Sequence, residues 1–146
     1  MLRTFWEVNK LSESPFWFDQ ALQTPSKPGS VEVEGVNIVY ETWGKPGNPG
    51  VILIHGSNAH LEWWRFTAPF LADKFHIAAL DLSGNGNSDW RNKYSGEDFA
   101  KEVMAVTKAT SMNKHPFIVG HSFGGFVALE TCYQYQDDVG GLLLMD

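Results

Sequence analysis

Cysteine is nearly absent. Cys132 stands alone among 146 residues, so no internal disulfide framework can form, and the usage fits a reducing compartment. Basic clusters are missing too. Eleven Lys and Arg face 17 Asp and Glu, a formal charge of −6 with no Lys/Arg run, which argues against a nucleic-acid-binding surface. No apolar run approaches the ~18 residues that a membrane span requires. The start, MLRTFWEVNKLSESPFWF, lacks the continuous apolar core of a secretory signal. The expectation is therefore a cytoplasmic protein without a transmembrane segment. No His/Cys/carboxylate set has metal-ligand spacing, and no repeat or low-complexity tract interrupts the chain. Aromatics are plentiful: six Trp and ten Phe are too many for a disordered segment. This length suits one domain with a single sizeable core.

Residues 1–30 form an aromatic-rich arm (Phe5, Trp6, Phe16, Trp17, Phe18) ending in Thr24-Pro25-Ser26-Lys27-Pro28-Gly29, a loop by composition. Residues 31–146 carry the domain pattern. Val31–Val33 and Val36–Trp43 alternate around Gly35, which predicts an antiparallel strand pair with one wetted face. Val51–Ile54 is instead a continuous apolar run, as in a strand covered on both faces, and similar runs recur at His76–Leu80, Phe117–Val119 and Gly141–Met145. Helical segments lie between them. Residues 61–72 carry Trp63, Phe66 and Phe70, with Pro69 expected to divide the helix. Residues 96–110 open on Ser95-x-x-Asp98 and stack Phe99, Val103 and Val106. A third helix is predicted over 123–136. Such alternation specifies an α/β class: a mostly parallel sheet, helices on both faces, and an antiparallel front.

Three signals fall at predicted strand C-terminal ends, where open parallel sheets build their sites. These are His55-Gly56-Ser57-Asn58, Asp81 through Asp89, and Gly120-His121-Ser122-Phe123-Gly124. The last matches Gly-x-Ser-x-Gly, a nucleophile elbow, in which a serine occupies a sharp strand-to-helix turn. The flanking positions need little or no side chain, and Gly120, Gly124 and Gly125 offer that room. The following helix would aim its N-terminus at the serine, where free N–H groups favour a developing oxyanion.

In this order, with Trp63-Trp64 after the His-Gly, the chain resembles the α/β-hydrolase family from about Val31 to Asp146. The resemblance implies an incomplete fold, with six of the usual eight strands present. It implies Ser122 as nucleophile and the backbone N–H groups of Phe123 and Ser57 as oxyanion donors, with Asn58 an alternative second donor. Serine at the elbow sets the chain apart from family branches that use aspartate there, such as epoxide hydrolases. The implied chemistry is hydrolysis of a small-molecule carboxylic ester through an acyl-enzyme, without a cofactor. Thioesterase or C–C bond hydrolase chemistry uses the same elbow.

The family's triad continues with an acid and then a histidine, and this sequence departs from it there. Only 24 residues follow Ser122, and none is histidine. The acids among them are Glu130, Asp137, Asp138 and Asp146. Asp146, at a predicted strand end, is a candidate acid; the alternative places the acid one strand later. Without a base the hydroxyl is a poor nucleophile at neutral pH. Base and acid are therefore expected from outside this chain, from a second chain or a swapped copy. A catalytically inactive half-domain or a binding module is the competing reading.

The other histidines have plainer readings. His121 is expected to pack away from the serine hydroxyl, and His55 to bond the local backbone. His60 reads as a solvated helix start, and His76 and His115 as strand-entry residues. Gly84-Asn85-Gly86 fails as a dinucleotide loop because Asp89 stands at the third glycine's offset. Cys132 reads as a small buried apolar residue.

Overall fold

The computed structural model describes residues 14–112 and 115–146. Helix α1 (Phe16–Gln23) leads into strands β1 (Lys27–Val33), β2 (Val36–Trp43) and β3 (Gly50–Ile54). A 3₁₀ turn (Leu61–Trp64), α2 (Ala68–Leu71), β4 (His76–Leu80), α3 (Gly96–Ala109), β5 (Phe117–His121), α4 (Phe123–Gln134) and β6 (Gly141–Met145) follow. They build one six-stranded sheet in the order β1-β2-β4-β3-β5-β6. β1, β2 and β4 pair antiparallel, while β4, β3, β5 and β6 pair parallel. This is the incomplete α/β architecture expected from the sequence.

The apolar strands are explained by cover on both faces. Ile52, Ile54, Ala78, Leu80 and Ile118 face α3 and α4, packing on Phe99, Val103, Val106, Val127 and Ala128. Their alternates Val51, Leu53, Ile77 and Ala79 pack on Trp43, Leu61, Trp64 and Ala68. Every residue of β3 and β4 is buried, so neither strand can alternate with polar residues. The β1–β2 hairpin turns through Glu34 and Gly35 at φ +53° and +80°; two left-handed residues match the right-handed twist of the flanking strands.

Three local expectations change. β1 begins at Lys27 rather than Val31, with Lys27 paired to Thr42 and Pro28 to Glu41. Residues 27–29 are therefore strand and not loop. Pro28 is tolerated because β1 is an edge strand, and Tyr40 lies across Gly29, its register partner. The segment 61–71 is a 3₁₀ turn and a single helical turn, with Pro69 in the first turn of α2, where its missing N–H does no harm. The helix after the elbow ends at Gln134. The Ser95 cap forms as read, its hydroxyl accepting the Asp98 N–H at 3.1 Å.

The described part of the arm packs on segment 61–71. Trp17 meets Phe70 with ring centroids 6.0 Å apart, and Phe18 meets Phe66 at 5.7 Å. Phe5 and Trp6 lie outside the described residues. Cys132 is partly buried against the α3–α4 core, and burial pushes its thiol above the usual range.

Candidate active site

Ser122 is the single residue between β5 and α4. Ser122 takes φ 52° and ψ −118°, a left-handed conformation that costs an L-residue energy and persists only where its surroundings enforce it. Enforcement comes from both sides: the Ser122 N–H donates to the Met145 carbonyl at 2.8 Å, and its carbonyl accepts the Gly125 N–H at 2.8 Å. The serine side is exposed. Phe123 is the first residue of α4, so its N–H has no partner one helical turn earlier.

Two of the three glycines are sterically required. A Cβ on Gly120 would collide with the Gly124 carbonyl, and one on Gly124 would stand 2.5 Å from the carbonyl oxygens of Ile54 and His55. Gly125 differs from the expectation, because its nearest neighbour would be an ordinary 3.5 Å away. A fourth glycine matters instead. A Cβ on Gly56 would be 2.9 Å from the His121 ring and 3.3 Å from the Ser122 Cβ. The loop carrying Ser57 and Asn58 is thereby brought against the elbow.

His55 is buried, and its ring bonds fix its tautomer. Nε2 accepts the Leu82 N–H at 3.2 Å, so the ring proton resides on Nδ1, which donates to the Gly56 carbonyl at 2.8 Å. Across a planar trans peptide, that bond turns the Ser57 N–H the opposite way. Burial, the dominant influence, holds the His55 pKa below 6.5, and the Gly56 hydrogen bond opposes it only in part. His76, at the start of β4, is lowered by burial and then by Lys27.

These shifts have a sign. An unfolded chain protonates both rings near pH 6.5, whereas the folded state resists, so stability falls as pH drops through 6.5 toward the folded values. Each ring contributes a slope of at most about 1.4 kcal/mol per pH unit. Urea midpoints are expected to decline between pH 7 and 5, less steeply in His55→Gln; identical pH slopes in the two proteins would remove His55 as a source.

The remaining histidines stand where their plain readings put them. His121 stacks on Trp63 at 5.4 Å and 20°. His60 is the exposed residue preceding the 3₁₀ turn, and His115 is exposed two residues before β5. Among the described residues, no hydrogen bond joins any of these rings to Ser122. Asp146 follows Met145, the register partner of His121, so it is level with Ser122 across the β5–β6 pair. It is exposed. Phe123 makes an edge contact with Phe99 at 5.5 Å and stacks on Phe126 at 6.0 Å. Half-exposed rings, Trp63 at 49% and Phe126 at 52%, thus stand beside the residues flanking the serine. A separate cavity of about 710 Å³ lies between the end of α3 and residues 135–138, at the far end of the sheet from Ser122.

Sequence reasoning placed Asp81 in a signal without giving it a role, and missed Glu102. Asp81, the residue after β4, is buried, its carboxylate accepting the N–H groups of Leu61 at 2.6 Å and Asn87 at 2.8 Å. Glu102 on α3 is 0% exposed, bonded to Arg91 at 2.8 Å and to the Ser83 N–H at 3.0 Å. Its position three residues after Phe99, on the apolar stripe, is the one sequence signal that could have flagged it. Among the described residues, no group of three or more His, Cys, Asp or Glu could hold a metal ion, and no helix is long and apolar enough to cross a membrane.

A left-handed serine thus stands between a parallel strand and a helix, beside a glycine loop from the neighbouring strand. The chain belongs to the α/β hydrolase fold family, whose model matches residues 49–146. It is 34% identical over 104 residues to an uncharacterized hydrolase, YugF, of Bacillus subtilis, covering 70% of this chain and 38% of the relative. It is 30% identical over 122 residues to the monoacylglycerol lipase ABHD6 of Homo sapiens, covering 79% and 35%. Among solved structures, epoxide hydrolase A from Mycobacterium thermoresistibile matches with a TM-score of 0.77 at 26% identity, covering 82% of this chain and 39% of that one. The chain spans less than half the length of each.

Proposed function

We propose that Ser122 is the nucleophile of a serine hydrolase acting on carboxylic esters. The observation that carries this reading is the enforced left-handed backbone of Ser122 at the head of α4. Serine Oγ attacks the ester carbonyl as a base takes its proton. The carbonyl oxygen becomes an oxyanion, received by the Phe123 and Ser57 N–H groups; fixed donors of this kind each contribute a few kcal/mol. Collapse expels the alcohol, which takes the proton, and leaves an acyl-serine that water hydrolyses to the acid. The half-exposed rings of Trp63 and Phe126 favour apolar substituents on the ester. A monoacylglycerol lipase among the relatives agrees with that choice.

Base and acid come from outside this chain, from a second chain or from a swapped copy. Among the described residues no histidine ring is hydrogen-bonded to Ser122, which favours that assignment over an internal base. It equally favours the second reading, an inactive half-domain or binding module. Intact-mass spectrometry after exposure to a fluorophosphonate separates them. One adduct on the wild-type chain and none on Ser122→Ala is the expected result, with ester turnover falling at least about a thousandfold. A wild-type chain that stays unlabelled supports the inactive reading, and an adduct surviving Ser122→Ala removes the nucleophile assignment.

A further inference from the structure

Residues 55–61 leave β3 as a short loop that holds Ser57 and Asn58 beside the elbow, and both its ends are tied to the same strand terminus. At the near end the buried His55 ring accepts the Leu82 N–H at 3.2 Å. At the far end the Leu61 N–H donates to Asp81 Oδ1 at 2.6 Å. Asp81 and Leu82 are consecutive, so one dipeptide anchors both ends of the loop. Inside it the Ala59 N–H closes on the Gly56 carbonyl at 3.3 Å, with Asn58 left-handed at φ 53°.

Asp81 is itself held from behind. Its second oxygen accepts the Asn87 N–H at 2.8 Å, and a Cβ on Gly86 would collide with the carboxylate. The Ser88 hydroxyl donates to the Asp81 carbonyl at 2.7 Å and accepts the Val39 N–H at 2.8 Å. Two N–H groups converging from different loops demand two acceptor oxygens. An ionised carboxylate provides them, and its charge shortens and strengthens both bonds. An amide offers one acceptor and sets its NH₂ against the other donor.

We propose that Asp81 is a positioning residue, whose hold on the Leu61 amide sets the loop bearing the Ser57 donor at the correct distance from Ser122. This rests on the reading of Ser57 and Ser122 given above. Two variants of the full chain test it. Asp81→Asn leaves one acceptor oxygen for two converging donors and so weakens the Leu61 anchor, and Ser88→Ala loosens the same region without touching the loop. Two readouts are taken: the maximal rate of fluorophosphonate labelling of Ser122, and hydrogen–deuterium exchange of residues 57–61. Asp81→Asn is expected to slow labelling roughly ten- to hundredfold, since small misplacements of reacting groups are costly, with the half-saturating probe concentration unchanged. Exchange in 57–61 should accelerate at least about tenfold. Ser88→Ala should move neither.

Equal slowing of labelling by Ser88→Ala would reduce Asp81 to a general support of the fold, and unchanged exchange in Asp81→Asn would overturn the proposal. Exchange needs no activity, so a wild-type chain that fails to label sinks the hydrolase reading while the exchange comparison still decides the Asp81 anchor. If Asp81→Asn does not fold, Leu61→Pro removes the donor instead. Leu61 opens the 3₁₀ turn and His60 before it is extended, a backbone setting that accepts proline. Because Leu61 is also a core residue, Leu61→Ala, which leaves the core gap but keeps the N–H, is its control. The same acceleration at 57–60 is expected of Leu61→Pro, and its absence counts against the proposal.

Discussion

Gly120→Ala is expected to cost about 3 kcal/mol or more of stability and to abolish serine labelling. The new methyl would collide with the backbone carbonyl of Gly124. Two main-chain segments cannot yield as a side chain does, so either α4 lifts off β5 or Ser122 leaves its conformation. Gly125→Ala, five residues on, supplies the contrast. Its methyl finds only ordinary contacts, the nearest at 3.5 Å, and alanine is the better helix former, so stability should hold or rise by up to about 1 kcal/mol. Urea unfolding of both proteins, with probe labelling of each, measures the pair. Equal tolerance of the two alanines would mean that the elbow is not closed by glycine contacts.

Removing one member of the Arg91–Glu102 pair should be nearly as damaging. Glu102 is fully buried and the Arg91 side chain is 7% exposed. Nor is the pair isolated: Arg91 also donates to the Val33 carbonyl at 3.2 Å, and Glu102 accepts the Ser83 N–H at 3.0 Å. Glu102→Leu leaves the buried guanidinium with only the exposed Glu34 carboxylate at 3.9 Å, for which about 3–5 kcal/mol is expected. Adding Arg91→Met to that variant should recover most of the loss, because an apolar pair replaces a buried ion pair at little cost. The unpartnered Ser83 N–H keeps the recovery incomplete, by about 1–3 kcal/mol. A denaturant-based double-mutant cycle reads the coupling, and additive losses would show that the two charges act independently.

The architecture is legible in this sequence wherever it is dictated locally. Val51–Ile54 and His76–Leu80 announce doubly covered strands because each residue repeats one physical requirement, burial. The elbow is legible because the strain at Ser122 needs Gly120 and Gly124 within two residues. Gly125, just beyond the motif, carries none of the constraint, which only the packing distances reveal. Edge position is not local: Pro28 and Gly29 have loop composition, and only their place on the outer strand opposite Tyr40 admits them to β1. The Asp81 anchor is further from view, since its partners at Leu61 and Asn87 are set by where two loops pass one strand end. Glu102 is hidden for the same reason, its partner Arg91 lying in the irregular stretch before α3.

β3 and β5 are adjacent rungs of one parallel ladder, with Ile54 opposite Gly120. The loop bearing Ser57 leaves β3 at the next residue, and Ser122 follows Gly120 by two. Twisting or breathing of the sheet therefore carries both in the same direction. Their separation is referenced to a single backbone pairing, as two marks on one ruler stay in register when the ruler is moved. Motion of the sheet as a whole is common to Ser57 and Ser122 and cancels between them. Only movement within the short loops beyond that rung can open the gap.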